Sequence, residues 1–351
     1  MIGDDVDRVL TKLQQLVAVP SVVGYEGPLM RHLARELHTA GLDVTSSEGG
    51  VVGNGARGGR VVISAHADRH GLICTAPGTF TYAAHVLPAI RGVANSHRHA
   101  FAETVCTRFG DEEVRAYDPR TGNTVADGRV DHMAVCGIDD LGIEVPVKGL
   151  DAILTATPVA FQGKVVQEGQ HVQAQLDNVL GVAMALVLVE GGFDGTVVFT
   201  AEEEIGASWR YLNHELLRHV QAPDTLIVLD TSPFDDTEAV DVGAVVLRWR
   251  DETARFSVPT VSRLIQISQS HDIPVVVKDR LIERLNEERR FNGRDELPLG
   301  RTELGRLVRG TAEFVNGATL QVPTTMYHTN AETTSVTAIA NAMRVLRDAT
   351  D

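Results

Sequence analysis

Three apolar runs of the chain each end in imidazole or carboxylate side chains: VVISAHAD over residues 61–68, VVFTAEEE over residues 197–204 and LIVLD over residues 226–230. Each run has the length and the Val and Ile content of a buried strand. Helical patterns lie between them, and strands that alternate with helices indicate a largely parallel sheet covered on both faces. The carboxyl ends of parallel strands lie at one edge of such a sheet, where α/β proteins bind their ligands.

The flanking segments give the domain organisation. Helical spacing of apolar residues predicts helices over 5–18, 28–41, 178–190, 261–272 and 334–347. Between about residues 71 and 170 we find no helical stripe, only short β-prone runs separated by turn residues. The glycine-rich stretch over 53–59 is interpreted as a turn. The sequence therefore predicts a three-layer α/β/α domain from residues 1–70 and 171–351, interrupted by a mostly β subdomain over 71–170.

Composition excludes several classes of protein. The chain has 351 residues with 32 Lys+Arg against 47 Asp+Glu, a formal net charge of −15. An acidic surface disfavours binding to nucleic acid or to anionic membranes. No apolar run reaches the roughly 18 residues of a membrane span, and the acidic start does not read as a signal peptide. Three widely spaced cysteines, Cys74, Cys106 and Cys136, suit a reducing compartment and a role as small buried side chains. We expect a cytoplasmic protein.

Five side chains at or after the apolar runs are candidate metal ligands. Two imidazoles with several carboxylates suit one or two divalent transition metals better than an all-oxygen site does. Each residue alone is weak evidence, because a lone His-x-Asp is usually an ordinary pair and a lone Asp before a helix is usually a cap. Coincidence is a poor explanation for all five in this order on this strand pattern. The candidates are His66, Asp177, Glu204, Asp230 and His328.

These segments resemble the M42 metallo-aminopeptidases, a family of co-catalytic zinc peptidases related to the M20 and M28 families. The resemblance covers nearly the whole chain, from VPSVVGYEGPL through AHAD, LDNVLG, AEEEIG and LDTSP to PTTMYHTNAE. The RTELG segment at 301–305 is a looser match, because the family usually carries a Thr-Asp pair there. The zinc-peptidase fold and an activity on peptides are what the resemblance implies.

The resemblance also implies a role for each site residue. His66 and Asp230 would bind one ion, Glu204 and His328 the other, and Asp177 would bridge the two. Glu203 would be the general base, and Asp68 would orient His66 from behind.

The implied cofactor is a pair of divalent metal ions per subunit, zinc in the first place, with cobalt or manganese as alternatives. The implied function is removal of N-terminal residues from short peptides. The implied assembly is a homo-oligomer, from a dimer up to a tetrahedral dodecamer, with the insertion as dimerisation or lid domain.

Departures from the family leave alternatives open. Arg69 and His70 follow the His-x-Asp motif where the family usually has an acidic residue first. A guanidinium there could hold a substrate carboxylate, as in an M20-like amidohydrolase, N-acyl deacylase or carboxypeptidase, or it could be structural. A third hypothesis is a non-catalytic metal-binding assembly protein. Glu203 argues against it, because a purely structural metal site does not need a general base that binds no metal. We expect His97 and His99 to be packing or interface residues.

Overall fold

The structure, a computed structural model, describes residues 2–84, 95–131, 137–138, 142–219, 223–311 and 315–351. In these residues a short 3-10 helix spans Gly58–Arg60. The α-helices are α1 (Ile2–Val17), α2 (Gly27–Thr39), α3 (Asn95–Phe109), α4 (Val179–Glu190), α5 (Ser208–His219), α6 (Glu238–Asp241), α7 (Val258–Ser270), α8 (Lys278–Phe291), α9 (Glu303–Gly310) and α10 (Val336–Thr350).

Eight strands form the central sheet. Their order across the sheet is β1 (Asp43–Ser47), β2 (Gly50–Asn54), β14 (Thr196–Thr200), β3 (Val61–His66), β15 (Thr225–Pro233), β18 (Gly317–Thr324), β16 (Val245–Leu247) and β17 (Val275–Val277). The four central strands β14, β3, β15 and β18 are parallel to one another. Their carboxyl ends therefore lie along one edge, as the three apolar runs predicted.

Strands between residues 71 and 161 form a second sheet with its own hydrophobic core. Its strands, in order, are β10 (Val147–Lys148), β7 (Thr124–Val130), β6 (Glu113–Tyr117), β11 (Pro158–Phe161), β4 (Gly71–Ala76), β5 (Thr79–Ala83), β9 (Ile143–Glu144) and β8 (Gly137–Ile138). A small third sheet joins β12 (Val166–Glu168), β13 (His171–Ala174) and β19 (Glu332–Ser335). All strands of the second sheet lie within the predicted insertion.

Helices cover the central sheet because their apolar stripes need a partner. In α1, Val9, Leu13 and Leu16 are fully buried at helical spacing. Every residue of α4 before Glu190 is buried, as expected for a helix that is apolar all round. Helix α4 packs on β3 and β15, and α10 packs on β18. No helix of the described residues is long and apolar enough to cross a membrane.

The structure corrects two expectations about secondary structure. A helix, α3, lies inside the predicted β insertion; its buried face has few side chains, Ala102, Val105 and Phe109, so no long stripe marks it. Strand β2 takes up Gly53 and Asn54 at the start of the glycine-rich stretch 53–59, and the rest of the stretch is the predicted turn and the start of the 3-10 helix. In β2, a Cβ on Gly50 would lie 2.4 Å from the carbonyl oxygen of Phe199. The absence of a side chain at Gly50 permits close pairing of β2 with β14.

The cysteines differ from one another. Cys74 is buried and free, as expected of a small apolar side chain. Cys106 is disulfide-bonded, which contradicts the expectation for it. Cys136 lies outside the described residues.

Candidate metal centre

Neighbouring strands deliver the first site residues to one edge of the sheet. Strand β3 ends at His66, and β14 beside it ends at Thr200, a few residues before Glu203 and Glu204. Strand β15, on the other side of β3, carries Asp230. Because the three strands are parallel neighbours, their side chains converge without long loops.

Asp177 and His328 lie just outside the strands of the adjoining small sheet. Asp177 follows β13, immediately before α4, and its peptide bond to Asn178 is cis. His328 lies between β18 and β19 with a φ of 59°, in the left-handed region that non-glycine residues rarely adopt. Both are held by Glu332, whose carboxylate accepts the N–H of Leu176 (2.6 Å), of Asp177 (2.8 Å) and of His328 (2.7 Å). The sequence pattern did not predict this role of Glu332, because its carboxylate accepts hydrogen bonds from backbone N–H groups, which every residue except proline carries.

One group of donor atoms is formed by His66, Asp177 and Asp230. His66 Nε2 lies 3.2 Å from Asp177 Oδ1 and 3.7 Å from Asp230 Oδ1. One ligand atom from each of the three residues lies within 4.8 Å of the others. We call this set site A.

A second group lies on the other side of Asp177. His328 Nε2 is 3.4 Å from Asp177 Oδ2 and 3.6 Å from Glu204 Oε2. His70, which was not among the predicted ligands, places Nε2 3.4 Å from Glu204 Oε1. His70, Glu204 and His328 each offer one ligand atom within 4.8 Å of the others. We call Asp177, Glu204, His328 and the adjoining His70 site B; the two oxygens of Asp177 face one site each.

These separations fit ligands of a shared cation. Charge-assisted hydrogen bonds between nitrogen and carboxylate measure about 2.7–2.9 Å, shorter than any of these distances. Ligands at about 2.1 Å around a tetrahedral ion are on the order of 3.4 Å apart, which matches them. Buried atoms without a hydrogen-bond partner include His70 Nε2, Asp177 Oδ1, Glu204 Oε1 and His328 Nε2. Since buried polar atoms are nearly always satisfied, the donor set fits divalent metals.

The close packing of buried carboxylates also indicates a site for cations. Burial raises the pKa of Glu204, and the neighbouring Asp177 raises it further. Burial also raises the pKa of Asp230, against the opposing effect of His66. Burial acts to raise the pKa of Asp177 as well, but the imidazoles of His328 and His66 outweigh it and hold that pKa below its usual range. Three carboxylates share one buried volume, and divalent cations would relieve their repulsion.

Asp68 and Glu203 lie beside site A. The two Asp68 oxygens accept the backbone N–H groups of Glu203 (2.9 Å) and Glu204 (2.8 Å), and Oδ1 is 3.4 Å from His66 Nδ1. Glu203 forms an ion pair with Arg306, with Oε1 2.5 Å from Nη1. Burial raises the pKa of Glu203 to about 8, although His66 and Arg306 act in the opposite direction.

Arg69 is occupied away from this centre. Its guanidinium donates to Ser21 Oγ (2.9 Å) and to the carbonyl oxygens of Val17 and Val19, and the side chain is buried. These contacts connect the segment after β3 to the end of α1 and the residues that follow it. They support a structural role for Arg69 and not a role in binding a substrate carboxylate. His99 is exposed, and the side chain of His97 lies outside the part of the chain that is described.

Known proteins resemble this chain in sequence over part of its length and in fold over nearly all of it. The family model described as M42 glutamyl aminopeptidase matches residues 138–284. No curated protein matches.

Three solved structures share the fold at low identity. An aminopeptidase from Desulfurococcus kamchatkensis is 16% identical with a TM-score of 0.72, covering 97% of this chain and 94% of its own. The TET aminopeptidase of a marine-sediment Thaumarchaeota archaeon is 14% identical with a TM-score of 0.70, covering 97% and 95%. The TET1 peptidase of Pyrococcus horikoshii, which can assemble into a tetrahedron or a large octahedral shell, is 16% identical with a TM-score of 0.69, covering 97% and 98%.

At these identities the structures establish the fold, and the family model adds the sequence relationship. The three-layer zinc-peptidase fold predicted from the sequence is thereby confirmed. The match over residues 138–284 and the shared fold confirm the predicted resemblance to the M42 aminopeptidases.

Proposed function

We propose that this protein is a metal-dependent aminopeptidase that removes N-terminal residues from short peptides. The observation that carries the proposal is the pair of donor groups joined by Asp177, with buried donor atoms that lack a protein partner. A bridging carboxylate between two His/carboxylate sets is the arrangement that holds two metal ions a few ångströms apart. The family relationship supplies the substrate class.

His66, Asp177 and Asp230 would hold one divalent cation, and Asp177, Glu204 and His328 the other. Two such ions, when bound, make water a better nucleophile and stabilise the charge that develops on the scissile carbonyl oxygen. Zinc suits the mixed imidazole and carboxylate donors, as do cobalt and manganese.

Glu203 is the general base of this proposal. Its carboxylate lies beside His66 but belongs to neither donor group, so it is free to take a proton from the attacking water and deliver it to the leaving amine nitrogen. The amine then leaves as the carbon–nitrogen bond breaks. Arg306 fixes one Glu203 oxygen in place, and Asp68 fixes its backbone.

Room for a peptide adjoins the site. A groove of about 1310 Å³ is lined in part by Tyr327, Phe234 and Lys278. The Tyr327 ring stacks on His328 with 3.5 Å between ring centroids, so the groove begins next to site B. We propose that it accommodates the peptide beyond the cleaved bond.

The remaining expectations belong to the same proposal. We propose a catalytic domain of residues 1–70 and 171–351 and an inserted domain of residues 71–170, with self-association into a homo-oligomer of the kind formed by the Pyrococcus horikoshii peptidase. Cytoplasmic localisation remains a prediction from the sequence.

Mass spectrometry of products from free, N-acetylated and C-amidated short peptides tests the activity. Incubation with zinc, cobalt or manganese in turn should give stepwise loss of residues from free N-termini alone. Acyl removal or trimming from the C-terminus would instead support the M20-like alternative, which Arg69 no longer favours because its guanidinium is bonded to residues 17–21. Absence of cleavage with metal bound would support the non-catalytic scaffold.

A further inference from the structure

We propose that His70 is an additional protein ligand of the ion in site B, alongside Asp177, Glu204 and His328. The inference rests on the metal-binding part of the proposed function and not on the peptidase activity. It assigns a role to a residue two positions after Asp68, where the resemblance supplies none.

The donor atom of His70 is in place and unused. Nε2 lies 3.4 Å from Glu204 Oε1, and neither atom has a hydrogen-bond partner although both residues are buried. The exposed fraction of the whole His70 residue is 1%, so water does not satisfy the ring. The rings of His70 and His328 are nearly perpendicular, with centroids 3.8 Å apart. Two imidazoles thus approach the same carboxylate, and a cation between them would satisfy the unpartnered His70 Nε2, His328 Nε2 and Glu204 Oε1.

The other side of the His70 ring is anchored. Nδ1 lies 2.5 Å from the hydroxyl oxygen of Tyr82, and the rings of Tyr82 and Phe109 pack against it. Gln175 donates its side-chain N–H to the His70 carbonyl oxygen. Metal-bound histidines commonly donate their second N–H to an oxygen that fixes the ring, and Tyr82 provides that oxygen.

The competing arrangement is a different tautomer. If Tyr82 donated its proton to Nδ1, Nε2 would carry hydrogen and point it at Glu204. A nitrogen–carboxylate hydrogen bond would then close to about 2.7–2.9 Å, but the observed separation is 3.4 Å. The geometry therefore favours Nδ1–H donating to Tyr82, with the Nε2 lone pair directed into site B.

An additional ligand makes the two sites unequal. Site A offers three protein donors, which leaves a position of a tetrahedral shell open for water, as in catalytic zinc sites. Site B with His70 offers four, the number that closes the shell in structural sites. Site B should retain its ion more firmly, and site A should be the position where water enters, next to Glu203.

Competition between the metal-free full chain and a chromophoric chelator, with zinc as the probe, tests the proposal. His70→Ala should weaken one of the two zinc ions at least about tenfold and leave the other within twofold. Tyr82→Phe, which keeps the ring packing and removes only the oxygen, should weaken the same ion by about 10–100-fold. His32→Ala, at a partly buried histidine beside Glu36, is the matched control and should change neither.

Cobalt supplies a readout that needs no substrate. In the cobalt-loaded wild type, proton NMR should show paramagnetically shifted imidazole signals from three histidines, one set of which disappears in His70→Ala. Signals from only two histidines, or zinc affinities of both variants within twofold of wild type, would overturn the proposal. Two tightly bound ions without any peptide cleavage would refute the proposed function and leave His70 as a ligand. Peptide cleavage, together with no effect of His70→Ala on zinc affinity and no His70 signal in the cobalt spectrum, would support the proposed function and refute His70 as a ligand.

Discussion

Replacing Glu332 by Gln should weaken metal binding although Glu332 touches no metal-type donor atom. Its two oxygens accept three backbone N–H groups, and two of these belong to the proposed ligands Asp177 and His328. His328 is also held at a positive φ, a conformation that costs on the order of 1–3 kcal/mol and persists only when its surroundings enforce it. Glu332 is therefore a positioning residue for both sites.

The size of the effect follows from the hydrogen bonds. A glutamine has one accepting oxygen, so in its better orientation it keeps the bonds to Leu176 and Asp177 and turns an N–H group toward the N–H of His328. Loss of one hydrogen bond to a charged group costs about 1.5–3 kcal/mol in the free energy of unfolding. A fold stabilised by about 5–15 kcal/mol survives that loss. Misplacement of His328 should lower the zinc affinity of site B by about 10–100-fold.

Two measurements and one control separate positioning from plain stability. Denaturant unfolding of the metal-free chain gives the stability change, and chelator competition gives the zinc affinity. Asp251→Asn is the matched control, because Asp251 is buried and its carboxylate also accepts three backbone N–H groups, from Thr253, Ala254 and Thr302. The control should lose similar stability and keep its zinc affinity. Equal zinc affinities in Glu332→Gln and wild type, or equal losses in both variants, would refute the positioning role.

Three further substitutions have distinct expected results. Asp68→Asn turns one of the acceptors of the Glu203 and Glu204 N–H groups into a donor, so kcat should fall at least about tenfold while the fold, monitored by circular dichroism, persists. Arg69→Met leaves the buried oxygens that accept from Arg69 without a hydrogen-bond donor, so the free energy of unfolding should fall by about 2–4 kcal/mol. The preference among peptide N-termini should not change, and a changed preference would place Arg69 at the substrate. Gly305→Ala would put a Cβ 1.9 Å from Asp251 Oδ2, so the melting temperature should drop, and an unchanged value would show that the helix start can shift.

The central sheet was predictable because its strands are apolar on both faces. β3, β14 and β15 are continuous apolar runs, and the ligands stand at or near their carboxyl ends, where α/β chemistry is expected. Helices rich in charged residues were harder to predict from the sequence. In α8 the apolar Ile282 is one of few buried side chains, so the sequence of this helix shows no apolar stripe. Strand β2 was hidden for the opposite reason, since its glycines look like turn residues.

Site residues that act through tertiary contacts could not be read from the pattern. His70 reaches Glu204 only because Tyr82, on the neighbouring strand β5, fixes its ring, and no spacing encodes that approach. Glu332 works through backbone N–H groups, which carry no residue type. Arg306, on a helix about a hundred residues later in the chain, donates a hydrogen bond to the Glu203 carboxylate. Strand ends predict donor atoms, whereas the residues that aim those atoms depend on packing.

Zinc content and peptide turnover of Glu203→Gln, measured on the same preparation, test the central claim most directly. Glu203 lies outside both donor groups, so the variant should bind two zinc ions per chain as the wild type does. Its turnover of free-N-terminus peptides should fall by at least about 10²–10⁴-fold, because the amide cannot carry the proton from water to the leaving amine. Loss of zinc from the variant would mean that Glu203 is a ligand, and undiminished turnover would mean that another group is the base.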